Sequence, residues 1–394
     1  MPPTYHRPAS VWQSRAESVT LAPVPDLVRV ALFHPALVHG GIQRVFVNLA
    51  RGFHERGLQV DLVQATPGGD FRSAVPSGIR LVDLNARRAL TSIPALVRYL
   101  RRERPHVLIS GAIQTNVAAA LARRIAAVPT RLIITEHSSI SAVKQIATTA
   151  RGRFSDYFVH HFYPWADAVV AISQDVADDL SRVAGLRPQS IRVIPTPLLT
   201  PELLEKAHRP VEHPWFGPGE PPVVLSAGRL NVAKDYPTLV RAFHRMRPTR
   251  PSRLVLLGEG EELGRLQSLI CELGLEKDVL LPGSVLNPHP YMAAAGVFVL
   301  SSTSEGLPAV LVEALAVGCP VVSTDSGSGV RDILGNGALG RIVPVGDVAR
   351  LAEAILAALK EPRQPIPPDA LKRFDYLAVA DLYRKLMESL APRG

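Results

Sequence analysis

At 394 residues the chain is long for a single hydrophobic core, so two domains are the default expectation. With 47% apolar and 20% charged residues it has the make-up of an ordinary globular protein, and no apolar run approaches the roughly 18 residues of a membrane-spanning helix. Two cysteines, Cys271 and Cys319, exclude a disulfide framework and show no metal-ligand spacing, which points to a reduced, cytoplasmic setting.

Residues 1–27 are rich in Pro, Ser and Ala without a hydrophobic core segment, so they read as a flexible lead-in and not as a signal peptide. From residue 28 short apolar runs alternate with amphipathic stretches. Strands are expected at 28–34, 58–64, 80–84, 107–110, 131–136, 168–173 and 191–194, with helices at 42–56, 93–104, 115–127, 154–163 and 174–183. Eight prolines between 195 and 222 break the pattern, and 201–222 reads as an interdomain linker. Alternation restarts with strands at 223–227, 253–257, 279–281, 297–300, 321–323 and 340–343. The accompanying helices are expected at 236–246, 261–273, 290–295, 309–316 and 348–359, with a helical tail at 369–390. Repeated strand–helix alternation demands a parallel sheet covered on both faces, twice over: an N-terminal doubly wound α/β domain (28–200), a C-terminal one (223–368) and a tail (369–394).

Ligands of such sheets bind at the carboxyl ends of the strands, so the polar residues there are the candidates. Gly228 follows one strand and is succeeded by Arg229 and Lys234; a close-approaching backbone, a planar guanidinium and a compact ammonium suit a diphosphate. Gly40-Gly41 opens the first helix, whose N-terminus suits a phosphate, although no GxGxxG fingerprint is present. Glu136-His137 ends a strand as either a cap or a substrate ligand. Gly258-Glu259-Gly260 allows a base or ribose against the backbone, or supplies an acid at a helix start. Glu305, in a polar turn, stands eight residues before Glu313 inside a helix, a separation of roughly 12 Å that suits two ends of one extended ligand. The spacing recurs at Glu212/Glu220 and Glu353/Glu361, but only the Glu305 copy starts at a strand end and runs into a helix. No acidic pair ends a strand to hold a metal–diphosphate, so no metal is expected.

Charge is uneven. Residues 1–200 carry 23 Lys and Arg against 13 Asp and Glu, and 201–394 carry 21 against 22. An arginine-rich N-terminal half favours an anionic partner. Nucleic acid is not expected, because no zinc-finger, RNP-like or basic-zipper pattern is present; a membrane surface is the preferred partner.

Taken in order, Gly-Gly, Glu-His, Gly228-Arg229…Lys234, Gly-Glu-Gly and Glu305-Gly306-Leu307-Pro308…Glu313 resemble the retaining, nucleotide-sugar-dependent glycosyltransferases of family 4, across about residues 28–390. The resemblance implies a GT-B fold, two Rossmann-like domains facing across a cleft, with the tail helix crossing back to the N-terminal domain. It implies that Arg229, Lys234 and the Gly41 N–H bind the donor diphosphate, that Glu313 binds the ribose and that Val285 contacts the base. Glu305 and the backbone of Gly306, Leu307 and Pro308 would hold the transferred sugar, with His137 beside the reacting centre. One departure stands out: many relatives carry an acid two residues after the Gly-Gly pair, where this chain has Ile42-Gln43-Arg44. Segment 323–332 looks like that of bacterial enzymes of polysaccharide and lipid-linked oligosaccharide assembly. A UDP-sugar donor (galactose, glucose or their N-acetyl forms, ahead of GDP-mannose) is therefore expected, with a glycan or lipid-linked acceptor at the inner face of the cytoplasmic membrane. The alternative is a non-catalytic nucleotide-sugar-binding subunit.

Overall fold

The computed structural model describes residues 28–37, 41–141, 144 and 154–390. The expected lead-in and Gly40 lie outside these. The N-terminal sheet is built from β1 (Arg29–His34), β2 (Gln59–Gln64), β3 (Arg80–Asp83), β4 (Val107–Gly111), β5 (Arg131–Glu136), β6 (Ala168–Ala171) and β7 (Ile191–Val193), in the order β3-β2-β1-β4-β5-β6-β7. Every pairing is parallel. Interior strands such as β5, RLIITE, are buried from the second residue on, as a sheet covered on both faces requires. Helix α1 (Gly41–Glu55) covers one face, burying Val45, Phe46, Leu49 and Phe53. On the other lie α2 (Ile93–Glu103), α3 (Ile113–Ala126), α4 (Ser155–Phe162) and α5 (Gln174–Ala184), which share one apolar cluster.

The second sheet runs β10-β9-β8-β11-β12-β13, again all parallel. Its strands are β8 (Val223–Ala227), β9 (Arg253–Leu257), β10 (Val279–Gly283), β11 (Val297–Leu300), β12 (Val321–Thr324) and β13 (Arg341–Val343). Six further helices accompany them: α7 (Tyr236–Met246), α8 (Leu263–Glu272), α9 (His289–Ala294), α10 (Ala309–Ala316), α11 (Ser328–Ile333) and α12 (Val348–Lys360). Helix α11 is absent from the expected elements, because a Ser/Gly-rich run carries no helical periodicity.

The proline-rich span 201–222 is not a plain tether. Pro201–Ala207 forms helix α6, with proline at its first turn where a missing N–H is tolerated. Leu198, Leu199 and Leu203 are buried in one cluster with Leu225 and Phe298 of the second sheet, so the chain joins the C-terminal domain well before β8.

The tail binds both domains. Leu371 and Phe374 are buried with the second sheet, and the Phe374 carbonyl accepts from the N–H groups of Leu198 and Leu199. Asp375 then caps α13 (Tyr376–Leu390), accepting from Leu377 N at 2.9 Å and Ala378 N at 3.0 Å. The helix crosses back onto α1, burying Val379, Ala380 and Tyr383 beside Phe53. Contact is so close that a Cβ on Gly52 would lie 2.8 Å from that of Ala380. Arg56 makes two hydrogen bonds to Asp381, both 2.7 Å, across the same junction.

Candidate functional site

In each sheet the strand order reverses once, between β1 and β4 and between β8 and β11, which opens a crevice at the carboxyl ends of those strands. In the C-terminal domain the loops after β8 and β11 meet there. Asn231 accepts from the Lys234 N–H at 3.2 Å and so turns the chain after β8. The Lys234 ammonium then donates to Glu305 Oε1 at 2.5 Å, and Ser302 Oγ donates to the same oxygen at 2.6 Å. Ser301 Oγ holds the Lys234 carbonyl at 2.8 Å, and the Glu305 N–H donates to Ser326 O at 2.8 Å. Two residues 71 apart in sequence thus form a mostly buried, charge-assisted pair on a braced frame.

Glycines make that frame possible. A Cβ on Gly258 would fall 1.9 Å from Gly228 O, and one on Gly260 2.2 Å from Leu230 O. Their bare backbones let the Arg229 loop pack directly against the strand-end turn that carries Glu259. A Cβ on Gly329, in α11, would lie 2.0 Å from Gly306 O, so the segment after β12 supports the Glu305–Pro308 turn.

Arg229 is 71% exposed and pairs with Glu261 at 3.3 Å, a surface contact that costs little to exchange for an anion. Glu259 is exposed, with Oε1 accepting from Ser284 N at 3.3 Å beside half-buried Val285. Gly306 lies against the N-terminal domain, where a Cβ would sit 3.4 Å from the His137 carbonyl, and Leu307 packs against the apolar clusters of both domains. Pro308 is buried immediately before α10.

Glu313, 3% exposed, is not open. Its Oε1 accepts from Arg44 Nη1 at 2.7 Å, across the cleft from the first turn of α1, and its Oε2 lies 3.6 Å from His289 Nε2. Burial alone would raise this carboxyl; Arg44 and His289 outweigh it and hold it at about 2. The ionised pair therefore stabilises the fold above the ordinary value of 4.5, and the contribution is lost as pH falls through about 2. Sequence reasoning missed both partners. Arg44 was visible only as a departure beside Gly-Gly, and His289, whose Nδ1 is 2.8 Å from Asn287 Oδ1, has no telling spacing. Arg44→Ala should cost about 3 kcal/mol by leaving a buried carboxylate underpaired, and adding Glu313→Gln should recover most of it; denaturation of the single and double variants checks this.

On the N-terminal side, Gly41 is exposed at the start of α1. His137 is half-buried, with Nε2 3.0 Å from Thr135 Oγ1; burial pushes its imidazole down to about 4, so it is neutral at physiological pH. Glu136 points inward. It accepts from Tyr163 OH at 2.6 Å and from the His137 N–H at 3.1 Å, and burial raises it to about 7 despite those bonds. Of the cap and ligand readings of Glu136, the geometry supports the cap, which orients the backbone of His137. Fully buried His34, against Phe46 with ring centroids 5.9 Å apart, is likewise pushed down to about 4 by burial. Among the described residues no group of His, Cys, Asp and Glu could hold a metal ion.

Two facing Rossmann-like domains joined by a returning tail helix define the GT-B class. Residues 39–198 match the family profile described as Glycosyltransferase Family 4, and residues 212–375 match Glycosyl transferases group 1. The chain belongs to glycosyltransferase family 4. It is 31% identical over 242 residues to the N-acetylgalactosamine-N,N'-diacetylbacillosaminyl-diphospho-undecaprenol 4-alpha-N-acetylgalactosaminyltransferase of Campylobacter jejuni, covering 61% of this chain and 64% of that protein. It is 29% identical over 326 residues to the lipopolysaccharide core biosynthesis glycosyltransferase LpsE of Rhizobium meliloti, covering 80% of this chain and 84% of that one. Among solved structures, Anabaena HepE in complex with UDP and glucose superposes with a TM-score of 0.74 at 20% identity, covering 92% of this chain and all of that one.

Proposed function

We propose that the chain is a retaining glycosyltransferase that moves a hexose or N-acetylhexosamine from a UDP-sugar to a glycan or lipid-linked acceptor in cell-surface polysaccharide assembly. The observation that carries this reading is the Lys234–Glu305 contact at the β8/β11 crevice: a cation and a carboxylate stand side by side, as a diphosphate and the sugar attached to it would require. In this reading Lys234 and Arg229, with the Gly41 N–H, hold the diphosphate, and Glu305 with the Gly306, Leu307 and Pro308 backbone holds the sugar hydroxyls. Glu313 takes the ribose while keeping Arg44, since a carboxylate has lone pairs for both. Val285 and Glu259 border the base. Neutral His137 accepts or donates a hydrogen bond beside the sugar.

The bond from the anomeric carbon to the diphosphate oxygen breaks as the acceptor hydroxyl attacks from the same face. The acceptor's proton passes to the leaving phosphate oxygen, and UDP departs. Fixed cations neutralise the leaving group, so no metal is required. UDP and UDP-glucose in the HepE complexes support a UDP donor, and the diphospho-undecaprenol in the name of the Campylobacter relative supports a lipid-linked acceptor.

A melting-temperature screen of nucleotide sugars tests the donor. A UDP-sugar at 100 times its Kd should add about 2.7 kcal/mol of stability, while GDP-mannose adds less. Stabilisation by GDP-mannose alone would overturn the UDP assignment, and stabilisation by none would overturn the function.

A further inference from the structure

Helix α4 carries part of its aromatic set on the outside, while its Phe162 and the following Trp165 are half-buried against the core cluster. Its inner face buries Ser155, Val159 and, one residue past its end, Tyr163. Outward stand Phe154, 61% exposed just before the helix, and Tyr157, 55% exposed. Tyr157 belongs to a connected ladder. Tyr157 lies 4.1 Å from His161 and 5.8 Å from Phe158 between ring centroids. Phe158 lies 6.4 Å from Phe162, which lies 5.0 Å from Trp165. Singly scattered apolar groups are normal on a surface; a contiguous aromatic helix face is not.

The Trp165 end of the ladder is basic. The Arg124 guanidinium sits 4.8 Å above the Trp165 ring, and exposed Ile125 follows it. Lys144 flanks the other end and neutralises Asp156, the one acid of α4, at 2.5 Å. The surrounding half-chain holds the excess of Lys and Arg over acids. Exposed Tyr, Phe and His on the helix carrying this ladder, with a cation at its end, match the bilayer interface, where amphipathic rings sit at headgroup level and cations meet anionic lipid.

We infer that the outer face of α4 is a docking surface for an anionic bilayer. In a crossover from β5 to β6 the helix begins at the carboxyl end of the sheet, so Phe154 and Tyr157 lie at the same end as His137. Docking there sets the cleft mouth near the headgroups, within reach of a lipid-linked hydroxyl. The inference rests on the lipid-linked-acceptor reading above, but its test uses no acceptor, so the failure of either is seen separately.

The full chain is sedimented with phosphatidylcholine vesicles containing phosphatidylglycerol and with phosphatidylcholine alone. The wild type should pellet with the anionic vesicles, and Phe154→Ser/Tyr157→Ser should partition about tenfold more weakly. Arg124→Gln should bind less tightly and lose part of the salt dependence. All three should keep the same melting shift with UDP-sugar, which shows the cleft intact. Equal partitioning of wild type and double variant would overturn the proposal, as would a wild type absent from the pellet. A wild-type dimer that the double substitution dissolves would also overturn it, by assigning the face to a second copy of the chain.

Discussion

Lys234→Ala should lower turnover by about 10²–10³-fold while the protein remains folded. The magnitude follows from position. The ammonium is mostly buried in a crevice lined by backbone and held 2.5 Å from Glu305, so it is already ordered before a donor arrives. A charge fixed in this way stabilises the departing diphosphate without reorganising, and water cannot replace it at equal energy. Removing it also leaves Glu305 with Ser302 as its remaining named partner, so the carboxylate that should hold the sugar loses its orientation. Single-turnover assays with UDP-sugar, together with a melting curve, separate this loss from unfolding. Full turnover by the variant would remove Lys234 from the site.

Gly258→Ala should be the most damaging single-methyl change at the site, costing about 3 kcal/mol or more and abolishing donor binding. Gly258 has φ +147°, a region L side chains rarely adopt, and the added Cβ would stand 1.9 Å from Gly228 O. Neither atom can give way cheaply, because both are backbone at adjoining strand ends. The Arg229–Lys234 loop would shift bodily. A matched Gly264→Ala, at a position with nothing within 4 Å of the new Cβ, should be near neutral or stabilising. Chemical denaturation of the two variants gives the contrast, and similar stability for both would show that the loop packing carries no weight.

Much of this fold is legible in the sequence because buried parallel strands are short apolar runs with polar ends. β5, β8, β9 and β11 fall on their expected bounds for that reason, and helix α10 does as well, stopped by Gly318-Cys319-Pro320. Helix α11 is not legible, since its Ser-Gly start looks like loop and its formation depends on glycine contacts with the Glu305 turn. Prolines at 201–222 suggested a tether, yet three leucines at 198, 199 and 203 had already committed the chain to the second core. At the site, motif order revealed Lys234 and Glu305 but not that they touch. Arg44 and Glu313 are 269 residues apart, a pairing that exists only once the domains face each other. The arginine excess is likewise less available than a count suggests: Arg123 and Arg131 share Asp167, and Arg80 is held by Asp61 and Glu103. Among the described residues no helix is long and apolar enough to cross a membrane.

In the proposed mechanism a nucleoside diphosphate sits in the β8/β11 crevice against Lys234. Calorimetric titration of UDP into the wild type and into Lys234→Ala tests it most directly. Saturable one-to-one binding to the wild type is expected, and binding at least about tenfold weaker, near 1.4 kcal/mol, to the variant. Equal affinity for both proteins, or no binding to the wild type, would contradict it.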